Sequence, residues 1–167
     1  MIERERCDMD ITEICMECRN FFAPANKKDD KSFIHSGTFT ISGHSVTPLD
    51  FIQPEQYFRI VGSALNDGVY CNNAESLEVL TDETFTGTIW EMSVPRAFLN
   101  LCEDIAEWRT QNEAVGSANM SPYTAESFAG YSYQKGSGGS SQGAGSAVTW
   151  QAQFSKRLNA WRRLNVL

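Results

Sequence analysis

Gln56-Tyr-Phe-Arg-Ile-Val-Gly-Ser63, Asn66-Asp-Gly-Val-Tyr70 and Gly87-Thr-Ile-Trp90 decide how the middle of this chain folds. β-Branched and aromatic residues are concentrated there, and turn formers separate them. With Phe33-Ile-His35 and Thr38-Phe-Thr-Ile41 they make residues 33–92 read as β structure. Six short strands at this spacing predict a compact antiparallel barrel or curled sheet. Asn66-Asp67-Gly68 is the strongest hairpin signal, because Asp-Gly supplies the positive φ angles of a tight turn. Phe39, Phe58, Ile60 and Trp90 are the residues expected on the inner faces.

Helical patterns flank this region. Asp10 is a candidate N-cap with Glu13 at the third position of a capping box. Ile11, Ile14, Cys15, Cys18 and Phe22 follow on one face, and Pro24 with the polar run to Lys31 ends the helix. A second helix is expected from about Pro95, with Phe98, Leu101, Cys102, Ile105 and Trp108 as its apolar stripe. Residues 134–146 form a Gly/Ser tract that is flexible on its own. A last helix is expected over about 147–163, with Trp150, Phe154, Leu158 and Trp161 on one face. Lys156, Arg157, Arg162 and Arg163 lie toward its C-terminal end, where cations suit the helix dipole.

The 167 residues fit one domain, or one with a small insertion, and 41% hydrophobic with 21% charged residues are ordinary globular values. No apolar run approaches a membrane span, and Met1-Ile-Glu-Arg-Glu-Arg-Cys-Asp8 lacks the apolar region of a signal peptide. A net charge of −7 argues against general nucleic-acid binding. Its distribution says more. Residues 1–113 hold 9 basic and 20 acidic side chains, net −11; residues 114–167 hold 5 and 1, net +4. Such a split favours contact between copies, or between the C-terminal part and an acidic partner. The cysteines Cys7, Cys15, Cys18, Cys71 and Cys102 are odd in number, so free thiols are expected rather than a disulfide framework.

The motifs that could carry chemistry are incomplete. Cys15-Met-Glu-Cys18 lies within a helix and on its apolar face, which reads as buried cysteine rather than a redox pair or a zinc site. Gly43-His-Ser-Val-Thr47 lacks the final glycine of a nucleophile elbow and reads as a hairpin turn, with His35 and His44 the only candidate bases. The Gly/Ser tract lacks the Gly-Lys-Ser/Thr ending of a phosphate loop. Asp82-Glu83 and Glu103-Asp104 read as surface charge rather than acid–base pairs. No catalytic residue, cofactor or metal is expected, and the chain is not expected to be an enzyme.

Two stretches resemble a known family. Gln56–Tyr70 with Leu80-Thr-Asp-Glu-Thr-Phe-Thr-Gly-Thr-Ile-Trp-Glu-Met-Ser-Val-Pro95 resembles a segment of small structural proteins of tailed phages and prophages. Glu126-Ser-Phe-Ala-Gly-Tyr-Ser-Tyr133, followed by Trp150 and Leu158-Asn-Ala-Trp-Arg-Arg-Leu164, is similar to the end of head–tail connector (adaptor) proteins. There a Glu-Ser…Gly-x-Tyr-Ser-Tyr stretch precedes a helix closing in a basic pair. The likeness covers roughly two thirds of the chain and carries no catalytic signature, so it speaks to architecture rather than chemistry.

The resemblance implies a helical core, and with the strand pattern of 33–92 the expected fold is α+β. A helical connector core of about three helices, residues 1–32 and 93–167, would carry an inserted small antiparallel β-barrel or curled sheet at 33–92. It implies a phage structural protein of the head–tail junction, a ring of about twelve copies built by heterologous contacts beneath the portal. The ring would extend the DNA channel and offer a surface to a tail or stopper protein, in the virion, with no membrane. An acidic body suits a channel that DNA passes without specific binding. The expected interface with the portal protein or a neighbouring copy is the docking helix 147–167: Trp150, Phe154, Arg157, Leu158, Trp161, Arg162, Arg163, Leu164 and Leu167. Tyr131, Tyr133 and Lys135 are the expected inter-subunit loop. Deleting 147–167 is expected to abolish portal binding and leave the rest folded. The alternatives are a stopper or tail-completion protein, or an intracellular module binding a ligand or peptide.

Overall fold

The computed structural model describes residues 11–113, 125–128, 131–134 and 148–163. Along the chain these form α1 (residues 11–18), β1 (Ile34–Ser42), β2 (Ser45–Thr47), β3 (Tyr57–Val61), β4 (Gly68–Cys71) and α2 (Ala74–Leu77). Then come β5 (Glu83–Glu91), α3 (Arg96–Asn112), β6 (Ala125–Phe128), β7 (Tyr131–Gln134), α4 (Trp150–Gln153) and α5 (Ser155–Asn159). β1 to β5 form one antiparallel sheet in the order β2-β1-β5-β3-β4, and β6 pairs with β7 in a separate two-stranded sheet.

The expected core of about three helices carrying an inserted barrel is corrected. A curled five-stranded sheet, a half-barrel, organises the chain, and the helices lie beside it. Of the three expected helices, α3 alone is long. The stretch read as one helix over 147–163 is two short helices broken at Phe154 (φ −100°, ψ 10°). Segments this short are not stable on propensity, so their docking sets their shape. α1 stops at Cys18, well before Pro24. Arg19 takes a left-handed φ of 50°, its N–H bonds the Met16 carbonyl and the Asn20 N–H bonds the Cys15 carbonyl. That is a Schellman cap with arginine where glycine is usual, so no glycine marks the stop. Asp10 lies outside the described residues, and Glu13 reaches Arg109 Nη1 at 2.8 Å.

There are five strands in the main sheet, not six, because residues 34–42 are one continuous β1. Alternation then separates two faces. Phe39, Ile41, Val46, Phe58, Ile60, Phe85 and Ile89 gather inside the curl with Ile52, Leu77 and Leu80. Trp90 was expected there; Ile89 takes that place. Trp90 faces the other way, edge-on to Phe21 and Phe33. On that outer face Val69 and Met92 join the stripes of α1 and α3: Ile11, Ile14, Cys15, Cys18, Phe98, Leu101, Cys102 and Ile105.

The Asn66-Asp67-Gly68 reading is also corrected. Gly68 already belongs to β4, opposite Ile60, and the loop turns at Gly62 (φ 93°) instead. Asn66, 2% exposed, fastens the loop to the residues just before β5 through its amide: Nδ2 donates to the Thr81 carbonyl and Oδ1 accepts from the Thr81 N–H. The expected turn at Gly43-His44 is present. Both residues have positive φ, 53° and 63°, as the two-residue loop between Ser42 and Ser45 requires.

Candidate functional site

The C-terminal segment lies against α1 and α3 of its own chain. Trp150 (3% exposed) and Leu158 (0%) enter the same core as Ile14, Cys18, Phe98 and Leu101. Phe154 meets Trp108 edge-on at 6.3 Å, and Trp161 meets Phe22 and Phe98 at 5.8 and 5.6 Å. Backbone contacts complete the seat. The Arg163 N–H donates to the Cys18 carbonyl at 3.0 Å, and Asn20 Nδ2 donates to the Trp161 carbonyl at 2.9 Å. Asn20 also accepts from the Phe22 N–H, so one side chain links the end of α1 to the last residues of the segment.

Charge complementarity frames this seat. Arg157 pairs with Asp104 at 2.6 Å, and Arg162 pairs with Glu17. The four side chains are between 32% and 51% exposed, so each pair contributes at most about 1 kcal/mol; the buried rings dominate. Beside them Met16, Glu17, Cys18, Arg19, Arg162 and Arg163 line an open cleft of about 410 Å³.

The residues expected at an interface therefore divide. Trp150 and Leu158 are committed to the chain's own core, and Phe154 and Trp161 are half-buried against it. Arg157, Arg162 and Arg163 remain at the surface of the docked segment. Tyr131 and Tyr133 fall on β7, paired to Phe128 and Glu126. Leu164, Leu167 and Lys135 lie outside the described residues.

The motifs are placed as follows. Cys15 and Cys18 are fully buried, and burial pushes both thiols up, Cys18 to about 11, so neither is an available thiolate. Ser45 starts β2 while His35 lies seven residues along β1 from its partner Ser42, roughly 23 Å away at strand rise. Glu83 accepts from the N–H groups of Ala64 and Leu65 and from Asn66 Nδ2; these, after the stronger Ser63 hydroxyl, hold its carboxyl below the ordinary value. It anchors a loop. Asp104 is a clasp for Arg157.

Sequence reasoning missed two clusters, since their members are far apart in the chain. Glu91, 5% exposed, accepts from Lys27 Nζ at 2.7 and 2.8 Å and faces His35 Nε2 at 2.7 Å, with His35 stacked on Phe51. Burial pushes the Glu91 carboxyl up, yet the hydrogen bonds and charges of Lys27 and His35 outweigh it, and its pKa lies below the ordinary value. Across the sheet the Arg59 guanidinium lies 3.7 Å from the Phe21 ring centroid and 4.8 Å from that of Trp90.

A depressed carboxyl contributes stability above its unfolded pKa and loses it as the pH falls through the folded one. Glu91→Gln is expected to cost about 2 kcal/mol at pH 6. The difference in urea-derived stability from wild type should close as the pH drops below about 4. A difference unchanged from pH 6 to 3 would mean that the carboxylate charge does not hold Lys27 and His35.

Compared with models of protein families, with curated proteins and with solved structures, the chain matches none.

Proposed function

We propose that this protein is a structural component of the head–tail junction of a tailed phage, assembling as a ring beneath the portal. One observation carries the reading. The stretch that resembles the connector family is a hairpin, β6–β7, whose strands pair with each other and with no further strand among the described residues. A lone two-stranded hairpin is marginal in water and gains stability by adding to another sheet. An assembly protein supplies that sheet in a neighbouring copy. The acidic body and the basic C-terminal part, −11 against +4, support contacts that run head to tail between copies. The docked C-terminal segment then presents Arg157, Arg162 and Arg163 outward, while Trp150 and Leu158 hold it to its own body. The portal, tail and stopper partners, and the virion location, belong to this same proposal.

The test is mass by light scattering with negative-stain imaging, for the protein alone and with the portal protein of the same phage. Closed rings seated on the portal are the expected result. A protein that neither associates nor binds the portal would reject the reading and favour a ligand-binding module, visible as a saturable rise in thermal stability.

A further inference from the structure

The two lateral edges of the main sheet are treated differently. In β4 the residues whose backbone points away from β3 are Val69 and Cys71. Both N–H groups are taken by side chains, Thr12 Oγ1 on α1 and Ser76 Oγ on α2, each at 2.9 Å. That edge is closed.

The β1 edge is not. Register and bonding fix which groups face outward. The Glu91 N–H bonds the Phe33 carbonyl, and 33 is opposite 91 in a register that pairs Ile34 with Trp90. Odd-numbered residues of β1 therefore bond to β5, and even-numbered ones face away. Thr40 and Ser42 face away and are met by β2. β2 ends at Thr47, so among the described residues no strand lies in the slot beside residues 34–39. The Ile34 N–H is taken by the Lys31 carbonyl. Ser36 and Thr38 are exposed, and among the described residues their outward backbone groups meet no partner.

Exposed edges are usually guarded by lysine, proline or a bulge. Residues 34–39, Ile-His-Ser-Gly-Thr-Phe, hold neither lysine nor proline, and the register with β5 runs through them without a bulge. Among the described residues one other strand pair, β6–β7, pairs with no further strand. β7, Tyr131-Ser-Tyr-Gln134, is four residues long, is uncharged and carries two residues of high strand propensity; β6 carries Glu126.

Resting on the junction reading, we propose that β7 of one copy adds as a strand to the β1 edge of a second copy, beside Ser36 and Thr38. The backbone ladder supplies affinity, as in other strand additions. The contact joins two different surfaces, so each copy gives one strand and accepts one, and repetition makes a ring when the rotation closes.

Two variants separate donor from acceptor. Ser36→Pro removes an outward N–H of the slot, and Ser132→Pro disrupts β7. Light scattering over a concentration series, alone and on the portal, should show each variant associating at least about tenfold more weakly than wild type. An equimolar mixture should give one-to-one dimers that do not grow, because one variant retains only a strand to give and the other only a slot. Where circular dichroism shows Ser36→Pro unfolded, Thr38→Lys guards the same edge and keeps its backbone. Wild-type copies that never associate overturn the pairing. So do portal-bound rings indifferent to Ser36→Pro, Thr38→Lys and Ser132→Pro, which leave the junction reading standing. Slot-dependent assembly without portal binding overturns the junction reading and leaves the pairing.

Discussion

Trp150→Ala is expected to destabilise the protein by about 3–5 kcal/mol, the usual cost of deleting a buried aromatic side chain. For a chain this size that is a fall of roughly 10 °C in Tm. The side chain is 3% exposed and belongs to the buried cluster shared by α1 and α3, so its loss leaves a cavity in that core. Leu158→Ala, at 0% exposure, belongs to the same class at about 2–5 kcal/mol. Arg157→Ala and Arg162→Ala remove surface ion pairs, and Arg157→Ala also a distant contact with the Phe154 ring at 5.8 Å, so each should cost about 1 kcal/mol at most. Calorimetry of the four variants checks the order. Equal, small effects would mean that the segment is not seated on the body in solution.

That ranking revises the expected deletion of 147–167. Removing the segment uncovers the apolar faces of α1 and α3, so the remainder is expected to lose stability along with any docking surface. Glutamine at Arg157, Arg162 and Arg163 is the cleaner probe of partner binding, because it leaves Trp150 and Leu158 in place and sets no like charge against Asp104 or Glu17. A Tm that rises with protein concentration in wild type and equally in Ser132→Pro would show that copies associate through something other than β7, such as an exchanged segment.

Local signals were legible and long-range ones were not. The stripe Phe98, Leu101, Cys102 and Ile105 reads from spacing alone, and all four are buried. Strands β1, β3, β4 and β5 announce themselves by composition. What failed was arbitration between faces: Trp90 and Ile89 are both good strand residues, and only packing against Phe21 and Arg59 sends Trp90 outward. The Asp67-Gly68 signal lost to Asn66, whose amide makes bonds that fix the loop from fifteen residues away. The α1 stop at Arg19 had no glycine to mark it. Of the expected interface, the residue list was legible but its orientation was not. An apolar stripe reads the same whether it packs on its own chain or on another, and here Asn20 and Cys18 decide for its own chain. The open β1 edge was hidden for a related reason, since an edge exists only once strand order is known.

Gly37 and Gly87 are register partners on neighbouring strands, and alanine is expected to affect them in opposite ways. A Cβ at Gly87 would lie 2.3 Å from the Val61 carbonyl oxygen, a backbone atom that cannot step aside without moving β3. The approach is close because Val61 pairs with Thr88 and the chain turns at once through Gly62, whose own added Cβ would lie 3.3 Å from Gly87 Cα. The two glycines let β3 and the loop after it press against the middle of β5. Gly87→Ala should therefore cost about 3 kcal/mol or more, at or beyond the upper end for overpacking, by shifting a central strand. At Gly37 nothing lies within 4 Å of an added Cβ and φ is not in the positive range. Gly37→Ala removes chain entropy from the unfolded state and should be neutral or stabilising by up to about 1 kcal/mol. Urea titrations of the two variants give the comparison directly. A mild Gly87→Ala would mean that β3 and β5 do not approach as described. A costly Gly37→Ala would mean that the face of β1 at Gly37 is covered rather than open.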